Sequence, residues 1–214
     1  MAYLPTPDNI GSMYVGDIPK SPSDIFFHDE AGNPAATNHF TTLSTHLFSP
    51  AGVALGALTT TVADGHGVHV AWPTTSKFTT AGLYSLHFTF TKAGGERVTA
   101  EPLHLVIQGL DGWLTLEGAR SQWADAPLDD VFLAQILDAA KLQCVAYAPA
   151  LAVDAVIPVN YLHAQLMQAR ALYQSVIANQ QDNVGVDGFQ VRVFPLDFTI
   201  RALLRPKKAF GGMY

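Results

Sequence analysis

Between residues 13 and 108 the apolar side chains recur at every second position, and short clusters rich in glycine, proline and asparagine interrupt them. Alternation of this kind sends one face of an extended segment into a core and the other outward. Tyr84, Leu86, Phe88 and Phe90 alternate with Ser85, His87, Thr89 and Thr91, while Leu103, Leu105 and Ile107 alternate with His104, Val106 and Gln108. Between the two runs lies Lys92-Ala93-Gly94-Gly95-Glu96, where glycine supplies the positive φ of a hairpin turn, so the two strands are expected to be paired neighbours. Earlier runs, Asp24-Ile25-Phe26-Phe27, Thr45-His46-Leu47-Phe48 and Val68-His69-Val70-Ala71-Trp72, are set apart by Ala31-Gly32-Asn33-Pro34, Ser49-Pro50-Ala51-Gly52 and Ala63-Asp64-Gly65-His66-Gly67. About seven short strands in roughly 95 residues predict a two-layer antiparallel sandwich.

At Gln108-Gly109-Leu110-Asp111-Gly112 the period changes from two to 3.6, which places a domain boundary there and divides the chain into residues 1–110 and 111–214. Thr115 is a cap for a short helix through Gln122, with Glu117 near its positive end. Pro127 is expected to open a second helix, with Asp129 and Asp130 in its first turn and an apolar stripe of Leu133, Ile136, Leu137, Ala140, Cys144 and Tyr147 that ends before Pro149. Pro158 opens a third, with a stripe of Leu162, Leu166, Ala169, Tyr173 and Val176. Two such helices joined by a loop of about ten residues pack as an antiparallel pair. Phe189-Gln190-Val191-Arg192-Val193-Phe194 reads as a strand, Leu196 to Leu204 as a last short helix with Asp197 in its first turn, and Lys207 to Tyr214 as an open basic and aromatic tail.

Composition sharpens this picture. At 49% hydrophobic and 14% charged, the chain of 214 residues carries more apolar material than two small cores need, so some of its surface is expected to meet other subunits. The net charge of −6 argues against a general grip on nucleic acid, whose phosphates are bound mainly by lysine and arginine. The basic residues are unevenly placed. Arg201, Arg205, Lys207 and Lys208 put four of the 12 Lys and Arg into the last 14 residues, whereas the first 110 hold only Lys20, Lys77, Lys92 and Arg97. No run approaches the roughly 18 to 20 apolar residues of a membrane helix, and the first residues, Met1-Ala2-Tyr3-Leu4-Pro5, lack the basic and apolar regions of a signal peptide. Synthesis in the cytoplasm is expected.

Catalytic chemistry has few footholds. Cys144, the single cysteine, lies on an apolar stripe and is expected to be an inert buried thiol that forms no disulfide and no multi-cysteine zinc site. His66 and His69, near Asp64, have the look of a metal pair, but a three-residue offset on a strand puts the two imidazoles on opposite faces. No Gly-x-Ser-x-Gly elbow occurs, the Gly94-Gly95 pair lacks the lysine of a phosphate loop, and Asp129 and Asp130 are better explained by the helix dipole than as an acid and base pair. No enzyme, metal site or cofactor is expected.

Phe78-Thr79-Thr80-Ala81-Gly82-Leu83-Tyr84 resembles the approach to a late strand in immunoglobulin-like domains, where Gly-x-Tyr places a tyrosine at a corner between sheets, although the cysteine pair of antibody domains is absent. In the second half, Trp113-Leu114-Thr115-Leu116-Glu117, Cys144-Val145-Ala146-Tyr147-Ala148-Pro149, Pro158-Val159-Asn160-Tyr161 and Gln168-Ala169-Arg170-Ala171-Leu172-Tyr173 resemble the head-to-tail connector (adaptor) family of tailed bacteriophages. The most specific part is Gly188-Phe189-Gln190-Val191-Arg192-Val193-Phe194-Pro195-Leu196-Asp197, continuing to Arg201-Ala202-Leu203-Leu204-Arg205-Pro206.

Together the two resemblances imply a fold class of an N-terminal all-β immunoglobulin-like sandwich followed by a C-terminal, mainly α-helical connector bundle with a short strand and an extended tail. The second implies a structural virion protein at the neck: a subunit of a dodecameric ring that adapts the portal to the tail and lines the DNA passage. Its partners would be further copies of itself, the portal protein, the next neck or tail component, and passing double-stranded DNA without specific binding, with no membrane. Docking would fall to Arg201, Arg205, Lys207, Lys208, Phe210 and Tyr214. The alternative reading is a host-surface or carbohydrate-binding component that uses the sandwich, for which exposed aromatic residues are the expected sign and Trp72 the one candidate.

Overall fold

A computed structural model describes residues 3–7, 10, 12–63, 65–152, 155–181 and 196–205. The chain divides into two compact units, Met1–Leu110 and Asp111–Tyr214.

Among its described residues the first unit is built from nine strands: β1 (Leu4–Pro7), β2 (Met13–Tyr14), β3 (Ser23–His28), β4 (Thr42–Phe48), β5 (Ala54–Ala63), β6 (Gly67–Ala71), β7 (Gly82–Thr91), β8 (Arg97–Thr99) and β9 (Leu103–Gln108). They form one sheet in the order β1-β3-β6-β5-β4-β7-β9-β2, with β8 paired to β7 off this path. The expected immunoglobulin-like sandwich is corrected by this topology. Instead of two separate sheets there is one sheet curved into half a barrel, because the ten residues of β5 belong to both ends of it. Leu58 and the residues before it pair with β4, while Thr59 to Ala63 pair with β6. A register shift between Leu47 and Phe48, opposite Gly56 with φ +110°, supplies the bend, since an extra residue in one strand kinks it and increases its twist.

Curvature brings distant strands face to face. Phe27 of β3 meets Phe88 and Phe90 of β7 at ring-centroid distances of 5.3 and 5.1 Å, although three strands separate β3 from β7 along the sheet. Ile25, Leu47, Val68, Val70, Tyr84, Leu86 and Ile107 complete a core from which water is excluded. The alternating run in β7 lies as its sequence demands, with Tyr84, Leu86, Phe88 and Phe90 all inward. Its first half pairs with β9, while the turn at 92–96 leads to β8. Tyr84 is wholly buried, and its hydroxyl donates to the Thr80 carbonyl at 3.1 Å.

The second unit contains α1 (Leu116–Gln122), α2 (Asp130–Tyr147), α3 (Val159–Gln181) and α4 (Phe198–Leu204). The expectation of a mainly helical connector bundle is also corrected. The chain is dominated by its nine-stranded half-barrel, and of the four helices among the described residues α1 and α4 have only seven residues each. Two turns present too little surface to serve as full members of a bundle, so α2 and α3 form a helix pair with the short helices packed on it. The expected strand Phe189 to Phe194 and the tail from Lys207 lie outside the described residues.

Local chemistry sets the helix starts. The Thr115 hydroxyl accepts from Gly118 N at 3.0 Å, Asp129 accepts from Val131 N and Phe132 N, and Asp197 accepts from Thr199 N. Pro127 therefore precedes α2 rather than opening it. The buried face of α2 is the expected one, and that of α3 is so in part: Leu166 and Ala169 of the expected stripe are buried, but Tyr161, Ala164, Gln165 and Gln168 are buried with them, whereas Leu162 and Tyr173 are half-buried and Val176 is exposed. Gln165 enters the interface because both ends of its amide are satisfied. Its Oε1 accepts from Leu114 N and its Nε2 donates to the Leu137 carbonyl, each at 3.1 Å.

Candidate functional site

Within the second unit the C-terminal end of α2, the start of α3 and α4 converge. Asn160 Nδ2 donates to the Leu203 carbonyl at 2.6 Å, the Tyr161 hydroxyl donates to the Pro149 carbonyl at 3.2 Å, and Arg205 Nε donates to the Tyr147 carbonyl at 2.7 Å. Ile200 and Leu204 drive α4 onto Cys144, Tyr161 and Ala164. Burying Ile200 and Leu204 points the opposite stripe of α4 outward: Phe198, Arg201, Ala202 and Arg205 are all exposed, at the three- and four-residue spacing of one helix face.

Two guanidinium groups give this stripe its positive charge, with the exposed N-cap carboxylate of Asp197 one turn before Arg201. Arg201 and Arg205 lie 5.8 and 4.7 Å from the centre of the Tyr147 ring, and among the described residues neither forms a salt bridge with a carboxylate. Phe198 is 76% exposed beside them. Leu142 and Val145 on α2, Val156 before α3 and Val159 at its start are exposed as well. A surface with fixed guanidinium groups and bare apolar side chains is chemically suited to a partner that brings carboxylates and an apolar ridge. Of the six docking residues expected from sequence, the structure places Arg201 and Arg205 together here, while Lys207, Lys208, Phe210 and Tyr214 lie outside the described residues. Phe198 was missed. Its signal was its position three, four and seven residues before Arg201, Ala202 and Arg205.

The first unit has a second candidate. A cleft of about 330 Å³ opens on the outer face of β1, β3 and β6, lined by Thr6, Phe26, His28, Pro34, His66 and Gly67 among others. Phe26 is the residue opposite Gly67 in the β3–β6 ladder. A Cβ built on Gly67 would lie 3.0 Å from Phe26 Cδ1 and 3.2 Å from Cε1, so the ring rests directly against the glycine. One wall is the loop from His28 to Pro34, which Asp29 organises by accepting from Ala31 N and Asn33 N at 2.9 Å. Hydrogen bonds from Asn33 hold the Asp29 carboxyl below the usual aspartate range.

The histidines fall where strand geometry puts them. His69 on β6 stands opposite Asp24 on β3 and meets it through Nδ1 at 2.5 Å, whereas His66 lies in the turn that lines the cleft. Among the described residues no group of three His, Cys, Asp or Glu side chains is arranged to hold a metal ion. Cys144 is fully buried, and burial pushes its thiol up to about 11. Trp72 is only 7% exposed, and its indole nitrogen donates to Ser23 Oγ at 2.7 Å, so the aromatic residue on which the carbohydrate reading leaned is part of the core. No described helix is long and apolar enough to cross a membrane.

No family model matches the chain, and no curated protein matches it. Among solved structures, CopC from Methylosinus trichosporium is similar over 50% of this chain and 95% of its own, with a TM-score of 0.32 and 12% identity. A variant of the SrpA adhesin of Streptococcus sanguinis is similar over 60% of this chain and 81% of its own, with a TM-score of 0.28 and 10% identity.

Proposed function

We propose that the chain is a structural virion protein of a tailed phage, one subunit of a ring at the neck that joins the portal to the tail and lets DNA pass. The observation that carries this reading is the outer stripe of α4, where Phe198, Arg201 and Arg205 stand exposed, on a unit whose helices α2 and α3 also expose Leu142, Val145 and Val159. Val156, in the segment before α3, is 91% exposed. Apolar side chains left in water at this density are a cost to a monomer and a contact for an assembly. The motif that most specifically resembles connectors runs into the same helix. An acidic chain of net charge −6 also suits a conduit, since a lysine-rich lumen would bind phosphates and retard their passage.

The work of such a protein is done by shape and interface. Portal docking falls to the basic stripe, and contacts between copies fall to the exposed apolar positions. Light scattering on the purified full chain is expected to give a multimer, and Phe198→Asp combined with Val145→Asp is expected to reduce it to smaller species while the helices keep their circular dichroism. A strictly monomeric wild-type chain, together with heads that still join tails in virions lacking the polypeptide, would sink the reading.

A further inference from the structure

We propose that the cleft on the outer face of β1, β3 and β6 is a binding site for a neutral sugar ring of hexopyranose size. Three observations carry this. The first is an aromatic face offered to solvent. Phe26 is 39% exposed because it holds an outward position in the alternation of β3, and its ring rests against the bare backbone of Gly67 opposite it. The ring has a negative face, to which the weakly positive C–H groups of a pyranose are attracted.

The second is the charge of the lining. Among the described residues that line the cleft there is no Asp, Glu, Lys or Arg, and the Asp29 carboxylate of the adjoining wall is engaged by Ala31 N and Asn33 N. What it does offer is the Thr6 hydroxyl and the imidazoles of His28 and His66, hydrogen-bonding groups around a predominantly apolar floor. Thr6 Oγ1 and His28 Nδ1 share a hydrogen bond of 3.3 Å, which orients the imidazole at the edge of the cleft. An exposed aromatic ring with a few hydrogen-bonding side chains beside it suits a sugar, which has one apolar face and a polar rim.

The third is size and preorganisation. A volume of about 330 Å³ falls at the small end of ligand sites, room for one ring rather than a chain. The wall from His28 to Pro34 is already held by the Asp29 hydrogen bonds and by the bridge between His28 and Pro34, so little ordering remains to be done on binding. This site is distinct from Trp72, whose ring is in the core, and it lies on a different unit from the docking stripe of α4.

The test is a titration of the isotope-labelled full chain with methyl α-glucoside, with N-acetylglucosamine and, separately, with indole, followed by amide shifts. Saturable shifts at Ala63, Gly67 and His28 with either sugar are expected. Phe26→Ala should weaken binding ~10-fold, the loss of one stacking contact, and Phe26→Trp should preserve it. Because Phe26→Ala could disturb the sheet, the exposed His66→Ala is the second variant, and it should weaken binding several-fold with the spectrum otherwise unchanged. Saturation by indole alone, shifts scattered away from the cleft, no shift with any probe, or equal sugar affinity in His66→Ala and wild type would each overturn the proposal. None of these outcomes depends on whether the chain forms a ring, so the two readings fail separately.

Discussion

Arg205 holds Tyr147 twice: its Nε donates to the Tyr147 carbonyl at 2.7 Å, and its guanidinium carbon lies 4.7 Å from the centre of the same residue's ring. The carbonyl belongs to the last residue of α2, where no helical partner is available, and the cation meets the negative end of that helix. Arg205 thus ties the end of α4 to the end of α2 while keeping its outer edge in water. Replacing Arg205 with alanine is expected to cost on the order of 1 kcal/mol, much reduced from a buried bond because the side chain is exposed. Hydrogen exchange of the Ile200 and Leu204 amides should quicken roughly five- to tenfold, and Arg205→Lys, which lacks the Nε donor, should recover only part of the protection.

Gly82 and Tyr84 form one corner of the first unit. Gly82 has φ +136°, and a Cβ there would come within 2.8 Å of Pro50 Cγ. Gly82→Ala is expected to destabilise the fold by about 2–3 kcal/mol, from backbone strain and the clash together. Tyr84→Phe removes the bond to the Thr80 carbonyl and a longer one from Thr80 N at 3.3 Å, and about 1–2 kcal/mol should be lost. Denaturant midpoints of the two variants measure both; a neutral Gly82→Ala would contradict the geometry.

Gln165 is a buried polar anchor. With 1% of its surface exposed, it bonds Leu114 N on one side and the Leu137 carbonyl on the other. Gln165→Leu fills the same volume but orphans the Leu114 amide, and a loss of about 1–3 kcal/mol is expected despite the gain in apolarity. Urea unfolding compared with the wild type gives the sign directly.

Cys144 provides an alkaline handle. Its folded thiol titrates at about 11, above the ordinary value of 9.0 in the unfolded chain, so the folded state holds the proton more tightly. Below about pH 9 this contribution is fully present, and it is lost as pH rises towards 11, amounting to about 2–3 kcal/mol. Cys144→Ala should lack that component, so the stability difference between the two proteins must change over this range. At pH 8 a maleimide should react with Cys144 only as fast as the core opens.

Gly67→Ala tests the packing of the Phe26 ring. The new Cβ would be 3.0 Å from the Ile25 carbonyl and 3.0 Å from Phe26 Cδ1, and the first of these cannot swing away. A loss of about 1–3 kcal/mol and a displaced Phe26 ring are expected, read by the thermal midpoint and by the aromatic shifts of Phe26.

What the sequence by itself determined is what neighbours along the chain decide. Alternation put Tyr84, Leu86, Phe88 and Phe90 on one face, and the hydroxyl or carboxyl groups of Thr115, Asp129 and Asp197 capped the three helices, because each cap reaches a backbone amide only two or three residues ahead. Arg201 and Arg205 were legible as part of a basic cluster near the C-terminal end of the sequence.

Tertiary structure alone decided the rest. Whether β5 would serve one sheet or two depended on a register shift beside Gly56, and with it the choice between a sandwich and a half-barrel. The pairing of Asp24 with His69 and of Phe26 with Gly67 is a matter of strand register between β3 and β6, to which alternation within either strand is blind. Gln165 is polar and yet buried, because two backbone groups supplied by Leu114 and Leu137 satisfy its amide. Both surfaces of interest arise this way: the open stripe of α4 exists because Ile200 and Leu204 found a core, and the cleft because a glycine on one strand met a phenylalanine on another.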